Sequence, residues 1–293
     1  MIRIHAFAKV NYTLDVLSPR PDGYHNLATV MQSVSLCDTL EAERVAAGIT
    51  LDCDAPGVPR DDRNLAVAAV RALLAHHGRS DGVTLRLRKR IPAEAGLGGG
   101  SSDAAAALRA VDALLGLATP VHELARVAAA IGSDVPFFLT GGAASVRGRG
   151  EQVQPLPDGP EFHLVILKPS VGISTRKAYA ALDAIPERRS ARGTRRMEEA
   201  LAAGDPGEVV RRMTNDFEEA VFAQSPEVAA AYDSLLMARA SRALLCGSGA
   251  CVLGVAASAE DAEAIGARLR LAGMQVTVCK TLTREQAMVI ERE

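Results

Sequence analysis

A chain of 293 residues is about twice the length of an average domain, so two compact domains or one large one are expected. Apolar residues make up 48% and charged residues 23%, ordinary globular usage that excludes a disordered or fibrous chain. With 33 basic against 35 acidic side chains the formal net charge is -2, which excludes a whole-molecule field for nucleic acid or anionic membrane, so an anionic ligand has to be captured locally.

Cys37, Cys53, Cys246, Cys251 and Cys279 form no CxxC pair and sit among apolar or strand-like residues. Buried free thiols are expected, as in a reducing cytoplasm. The segment from Met1 to Lys9 lacks the apolar stretch of a signal peptide, and no run of 18 apolar residues occurs, so a cytoplasmic protein free of membrane is expected.

In chain order, Ile2 to Leu17 reads as strand, Pro19 to Gly23 as a turn, and Leu27 to Leu40 as strand again. Asn64 to His77 has helical apolar spacing, and Val83 to Arg88 alternates as a strand does. Pro92-Ala93-Glu94-Ala95-Gly96-Leu97-Gly98-Gly99-Gly100-Ser101-Ser102-Asp103 then runs into an alanine-rich helix through Leu115. A helix over His122 to Ile131 precedes a glycine-rich return between Gly141 and Gly150, and Pro155 to Pro160 is the linker candidate.

Beyond the linker, Phe162 to Leu167, Ala243 to Cys246, Cys251 to Val255 and Met274 to Lys280 read as strands. Several helices follow the first of these, and one, opened by a capping box at Ser258, precedes the last. That order fits a ferredoxin-like domain with an elaborated first crossover. Arg188 to Arg196 is a low-complexity basic stretch, read as an exposed loop. The expected division is 1–157 and 158–293, in the α+β class.

The glycine loop carries the clearest chemistry. A phosphate chain needs backbone N–H groups without Cβ obstruction, and a helix N-terminus supplies a positive dipole end. Four glycines among residues 96–100 launch a helix directly, which a flexible linker rarely does. The loop is not a Walker A motif, because no lysine follows the glycines.

Pro92-x-x-x-Gly96-Leu97-Gly98-Gly99-Gly100-Ser101-Ser102 resembles the ATP loop of the GHMP kinases. Ala8-Lys9-Val10-Asn11 and Cys246-Gly247-Ser248-Gly249-Ala250-Cys251 resemble the first and third motifs of that superfamily, in order. Within it, Arg20 to His25, Arg63-Asn64-Leu65, Gly132 to Phe137 and Asn215 to Glu218 are similar to the family that acts on 4-diphosphocytidyl-2-C-methyl-D-erythritol. The likeness runs from residue 2 to about 280, although Tyr12 and Thr13 stand where an apolar pair is commoner.

The resemblance implies a ribosomal-S5-like first domain, a ferredoxin-like second one, and transfer of phosphate from ATP, with Mg²⁺, to the carbon-two hydroxyl of that cytidyl substrate. It implies Asp134 as the catalytic carboxylate and Lys9 as its charged partner. From the residues alone, a loop or capping acid is an equal reading of Asp134, whereas apolar neighbours speak against a solvated strand lysine at Lys9. By the same resemblance, Asn64, Lys89, Pro92 and the loop from Gly96 to Ser102 bind ATP. Asn11, Tyr24, His25, Thr175 and Tyr179 bind substrate, the two tyrosines stacking on cytosine. Without it, Tyr24 and His25 would read as a strand entering the core. Ser101 or Ser102 either caps the helix or reaches Mg²⁺. A mevalonate or homoserine kinase is the nearest rival, which Asp22-Gly23-Tyr24-His25 argues against. A non-catalytic nucleotide sensor and a nucleic-acid module on the S5-like fold are weaker ones.

Overall fold

A computed structural model describes residues 1–185 and 192–292. The first half is built on a hairpin of two long strands, β1 (Ile2–Pro19) and β2 (His25–Val45), joined by the Pro-Asp-Gly turn. Then come β3 (Ile49–Cys53), α1 (Leu65–His76), β4 (Gly82–Arg88), α2 (Gly99–Leu115), α3 (Val121–Ile131), the single turn α4 (Val135–Phe138), β5 (Ala143–Gly148) and β6 (Gln152–Pro155). One edge of β2 pairs with β1. Its other edge pairs with β5 over Leu27–Gln32 and with β4 over Thr39–Val45, leaving residues 33–38 between them without a strand partner.

The second half contains β7 (His163–Lys168), α5 (Thr175–Asp183), α6 (Thr194–Ala203), α7 (Pro206–Arg212), β8 (Thr214–Asn215), α8 (Glu218–Gln224), α9 (Pro226–Met237), β9 (Arg242–Leu245), β10 (Val252–Ala256), α10 (Ala259–Leu271), β11 (Gln275–Lys280), α11 (Arg284–Ala287) and β12 (Glu291–Arg292). Its sheet is antiparallel in the order β11-β7-β10-β9. This is the ferredoxin-like order, with α5 to α9 filling the first crossover. The gap in β2 receives the end of that sheet, because Lys280 N donates to Ser35 Oγ, Leu282 N donates to Ser33 O, and Val34 bridges Thr281.

Burial follows the strand period of two. In β7, Leu164 and Ile166 face the first half with Ala8, Val10, Tyr12 and Val34, while Val165 and Leu167 face α5, α8, α9 and α10. A third cluster lies between the first sheet and α1 and α2. Tyr12 takes its place in the shared layer, edge-on to Phe162 with ring centroids 6.1 Å apart. Thr13 is bonded to Thr194, so both departures from an apolar pair are satisfied inside the contact between halves. Four of the five cysteines are buried free thiols and Cys37 is half-buried. No helix among the described residues is long and apolar enough to cross a membrane.

Some local expectations need correction. The basic stretch Arg188–Arg196 lies partly outside the described residues, and from Thr194, which is buried, it is the start of α6 rather than a loop. Ser258 caps α10 by accepting from Asp261 N, but the reciprocal capping box forms at Thr283 and Gln286. The start of α6 is held by Asp15 of β1, a buried carboxylate that accepts from Gly193 N and Thr194 N, each at 2.9 Å.

Asp15→Ala would strand both amides. We expect it to lower stability by about 3 kcal/mol, the scale of hydrogen bonds to a charged group, read as a lower urea midpoint with an unchanged slope.

Candidate active site

The glycine loop forms the first turn of α2. Gly98 is the N-cap residue, with φ 73°, a left-handed conformation natural to glycine. The helix therefore begins at Gly99, and neither Ser101 nor Ser102 caps it. Ser102 is buried and donates to the carbonyl of Phe7. Because Ser102 N is the first to reach back, to Gly98 O, the amides of Gly99, Gly100 and Ser101 stay open to an anion.

The missing side chains make room mainly for protein. A Cβ on Gly96 would stand 1.8 Å from the carbonyl oxygen of Cys246, so the glycine loop and the Gly247-Ser248-Gly249 loop touch backbone to backbone. A Cβ on Gly98 would meet the Phe138 ring at 2.7 Å and Lys9 Cγ at 3.2 Å, and one on Gly99 would meet Ile91 at 3.0 Å. Gly100 is exposed and has only Leu65, at 3.7 Å.

Lys9 stands where these loops converge. Its backbone N donates to Leu97 O, and its side chain, 5% exposed, donates to Asn11 Oδ1 at 2.8 Å. Its Nζ lies 3.9 Å from Asp134 Oδ2 and 3.3 Å from where a Cβ on Gly247 would be. Asp134 is one-third exposed and, although it precedes α4, makes no capping bond with its side chain, so the carboxylate is left for chemistry. Asn11 is buried with its amide held between Lys9 and Thr29, and thus positions the lysine.

The other expected ATP residues have protein partners. Asn64 caps α1, accepting from Ala66 N and donating to Pro59 O. Lys89 Nζ is bonded to Asp38 and, at 2.6 Å, to Asp103 Oδ2, beneath the first turn of α2. Burial would lower the lysine's pKa, but Asp103 and Asp38 raise it above the ordinary range. Burial pushes the Asp103 carboxyl up against the pull of Lys89, with the charge of Asp38 adding to the rise. This buried cluster fixes the end of β4 to α2 rather than offering a free cation. Pro92 is half-buried at the start of the loop.

The residues expected to bind substrate form two groups. His25, not Tyr24, stacks on Tyr179, with centroids 5.0 Å apart and planes 20° apart. Tyr24 is 55% exposed, with the Arg149 guanidinium 5.1 Å over its ring. Arg149 sits in the β5–β6 turn, whose Gly150 packs on Ser133 and Asp134. Thr175 is within hydrogen-bond distance of Ser248, 3.1 Å.

Sequence reasoning missed Arg149, Asp38 and Asp183, whose partners lie far away in the chain, and gave no role to Asp103 at the end of the glycine motif. Asn215 gave a signal without a role. Its amide donates to Leu245 O and Gly247 O, while Glu218 accepts from Leu245 N, so this segment anchors the third-motif loop.

We expect Gly100→Ala to keep nucleotide affinity and to raise stability by up to about 1 kcal/mol, as alanine does inside a helix. Gly96→Ala should fail to fold, since a carbonyl occupies the space. Thermal melts with and without ATP check both, and loss of ATP binding in a well-folded Gly100→Ala would mean that phosphate needs that α-carbon bare.

The chain matches the family model "GHMP kinases N terminal domain" over residues 64–142 and "GHMP kinases C terminal" over 197–273. It is 43% identical to the 4-diphosphocytidyl-2-C-methyl-D-erythritol kinase of Moorella thermoacetica, over 96% of this chain and 99% of that one. It is 41% identical to that of Pelotomaculum thermopropionicum, over 94% and 96%. A crystal structure of 4-(cytidine 5'-diphospho)-2C-methyl-D-erythritol kinase superposes with TM-score 0.81 at 34% identity, covering 95% of this chain and 98% of that one. A homoserine kinase from Cytophaga hutchinsonii, at TM-score 0.78 and 20% identity over 99% and 96%, shares the fold. With both halves of the fold and the glycine loop matched along its length, the chain belongs to the GHMP kinases, in the family of the 4-diphosphocytidyl-2-C-methyl-D-erythritol kinases.

Proposed function

We propose that the chain transfers the γ-phosphoryl group of ATP to the carbon-two hydroxyl of 4-diphosphocytidyl-2-C-methyl-D-erythritol, the compound that names its full-length relatives. The observation that carries the reading is the approach of Lys9 to Asp134, at 3.9 Å, next to the open amides of α2. Phosphoryl transfer asks the protein for position and for charge where the phosphate oxygens gather it, more than for covalent chemistry.

The nucleotide's phosphates lie at the amides of Gly99, Gly100 and Ser101, where no acidic side chain stands in the first helical turn. Asp134 accepts the proton of the hydroxyl as its oxygen attacks the γ-phosphorus and the bond to the departing ADP oxygen breaks. Lys9, 3.9 Å from Asp134, meets the charge on the transferring group. Arg149, over Tyr24 in the turn whose Gly150 lies against Asp134, meets the substrate's diphosphate, and Tyr24, His25, Thr175 and Tyr179 hold the cytidyl end.

Mg²⁺ fits as an ion carried chiefly by the nucleotide. No cluster of three or more His, Cys, Asp or Glu suited to a metal occurs among the described residues, and Ser102 is committed to Phe7. Ser101, half-buried in the first turn, is the residue left to reach it. When bound, the ion neutralises phosphate charge. A boundary near residues 157–158, a cytoplasmic setting and the absence of a nucleic-acid partner complete the reading.

Asp134→Asn should bind ATP and substrate as the parent does while turnover falls by about 10²–10⁴-fold, the worth of general-base assistance. ADP release against the cytidyl substrate, mevalonate and homoserine tests the assignment. A variant within threefold of the parent makes Asp134 structural, and a parent that prefers mevalonate or homoserine overturns the choice of substrate.

A further inference from the structure

A line of buried hydrogen bonds runs from Lys9 along β1 and across into β2, and it ends on a residue that the transfer step does not use. Lys9, Asn11, Thr13 and Thr29 are each at most 4% exposed. Lys9 Nζ donates to Asn11 Oδ1 at 2.8 Å, Asn11 Nδ2 donates to Thr29 Oγ1 at 2.8 Å, and the Thr29 hydroxyl donates to the carbonyl of Thr13. Among the described residues Asn11 is the only hydrogen-bond acceptor for the Lys9 ammonium, Asp134 standing farther off at 3.9 Å.

An irregularity in the hairpin makes the last bond possible. Asn11 is opposite Met31 while Thr13 is opposite Val30, so β1 carries one residue more than β2 here, Tyr12. At this bulge Val30 N donates to Thr13 Oγ1, and the Thr13 carbonyl accepts from the Thr29 side chain.

The direction of every bond in the line follows from its two ends, because an ammonium can only donate and a carbonyl can only accept. With its proton on the Thr13 carbonyl, Thr29 Oγ1 offers Asn11 lone pairs alone, so it takes the amino end of the amide and leaves the oxygen for Lys9. Without the hydroxyl, Asn11 Nδ2 would be a buried donor with no partner, and a rotated amide would set its amino group against the ammonium, two donors face to face.

We propose that Thr29 is a positioning residue that fixes which way the Asn11 amide faces, and so holds the Lys9 ammonium beside Asp134. Thr29 has no hydrogen bond to Lys9 or Asp134, so its effect passes through Asn11. The inference rests on the function proposed above, in which Lys9 meets the charge on the transferring group.

The test is kcat and KM, with ATP and the cytidyl substrate, for the parent, Thr29→Val and Thr29→Ser, and for Thr29→Val in an Asn11→Ala background. Thr29→Val should lower kcat by about 10- to 100-fold, the scale on which a small displacement of a positioned group acts, with KM for ATP within twofold of the parent. Thr29→Ser, which keeps the hydroxyl, should recover most of the loss. In Asn11→Ala the same Thr29→Val change should alter kcat by less than about twofold, because the residue it acts through is gone. The proposal falls if Thr29→Val keeps kcat within threefold of the parent, if Thr29→Ser is no better than Thr29→Val, or if KM for ATP rises as much as kcat falls, which marks a structural role. Should Thr29→Val not fold, Thr29→Cys against Thr29→Ser makes the same comparison, since a thiol is a weak acceptor. The side-chain amide signal of Asn11 in ¹⁵N spectra of the full chain, assigned by its loss in Asn11→Ala, needs no turnover. It should exchange slowly with water in the parent and Thr29→Ser and faster in Thr29→Val, and equal rates overturn the positioning. A parent that turns over no cytidyl substrate defeats the functional reading, and the amide signal still decides what Thr29 does.

Discussion

Two stretches of bare backbone press together at the centre of this molecule, and the site exists because nothing comes between them. Gly96 brings the glycine loop against the carbonyl of Cys246, and Cys251 N donates to Ala95 O alongside. The contact joins the first motif-bearing loop of one half to the strand turn of the other, so it fixes the relative position of the two sheets at the point where Lys9 emerges. A methyl group at Gly96 would not fit without separating the halves. The shared apolar layer of Val10, Tyr12, Leu164 and Ile166 supplies the burial that holds this contact closed.

With the loops fixed, the site's electrostatics follow from how few of its cations are free. Lys89 looks available in sequence, yet it is bound between Asp38 and Asp103, and the amide of Asn64 is occupied by its own helix and the preceding loop. Positive character is left at the helix amides, at Lys9 and at Arg149. A chain of formal net charge -2 can bind a highly charged nucleotide only through such local concentration, and the burial of Lys9 makes its charge count for more than it would in water.

The periodic parts of the fold were legible in the sequence because they depend on local pattern. Runs of β-branched and apolar residues marked β1 and β2, strict alternation marked β4, the glycine run marked the opening of α2, and the order of strands and helices in the second half fitted a ferredoxin-like domain. What stayed hidden depends on residues distant in the chain. Asp38 and Lys89 are 51 positions apart, His25 and Asp183 are further apart still, and neither carboxylate lies in a motif. The glycines were legible as a loop but not in detail, since sequence suggests that each clears a path for phosphate, whereas Gly96, Gly98 and Gly99 mainly clear space for Cys246, Phe138, Lys9 and Ile91. The serines were misplaced for a related reason. A residue type favoured at caps gave way to a glycine whose left-handed φ turns the loop into the helix.

A single strand connects these parts. Along β1, the carbonyl of Phe7 holds Ser102 of α2, Lys9 reaches toward Asp134, and Asn11 holds Lys9. Further along, Thr13 and Asp15 hold the start of α6, Val16 N donates to Asp216 in the segment that anchors the third loop, and the strand ends at the turn that carries Tyr24 and His25. A strand rises about 3.3 Å per residue, so this sequence of contacts places the glycine loop, the Lys9–Asp134 approach and the hairpin turn at fixed separations along a nearly inextensible element. Every odd residue from Phe7 to Asp15 is engaged on the site or interface side, while Ala8, Val10, Tyr12 and Leu14 are buried in the apolar layers. A register slip of one residue would exchange those two sets. The precision that the proposed transfer demands is therefore carried less by the glycine-rich loops than by the buried alternation of the strand beneath them.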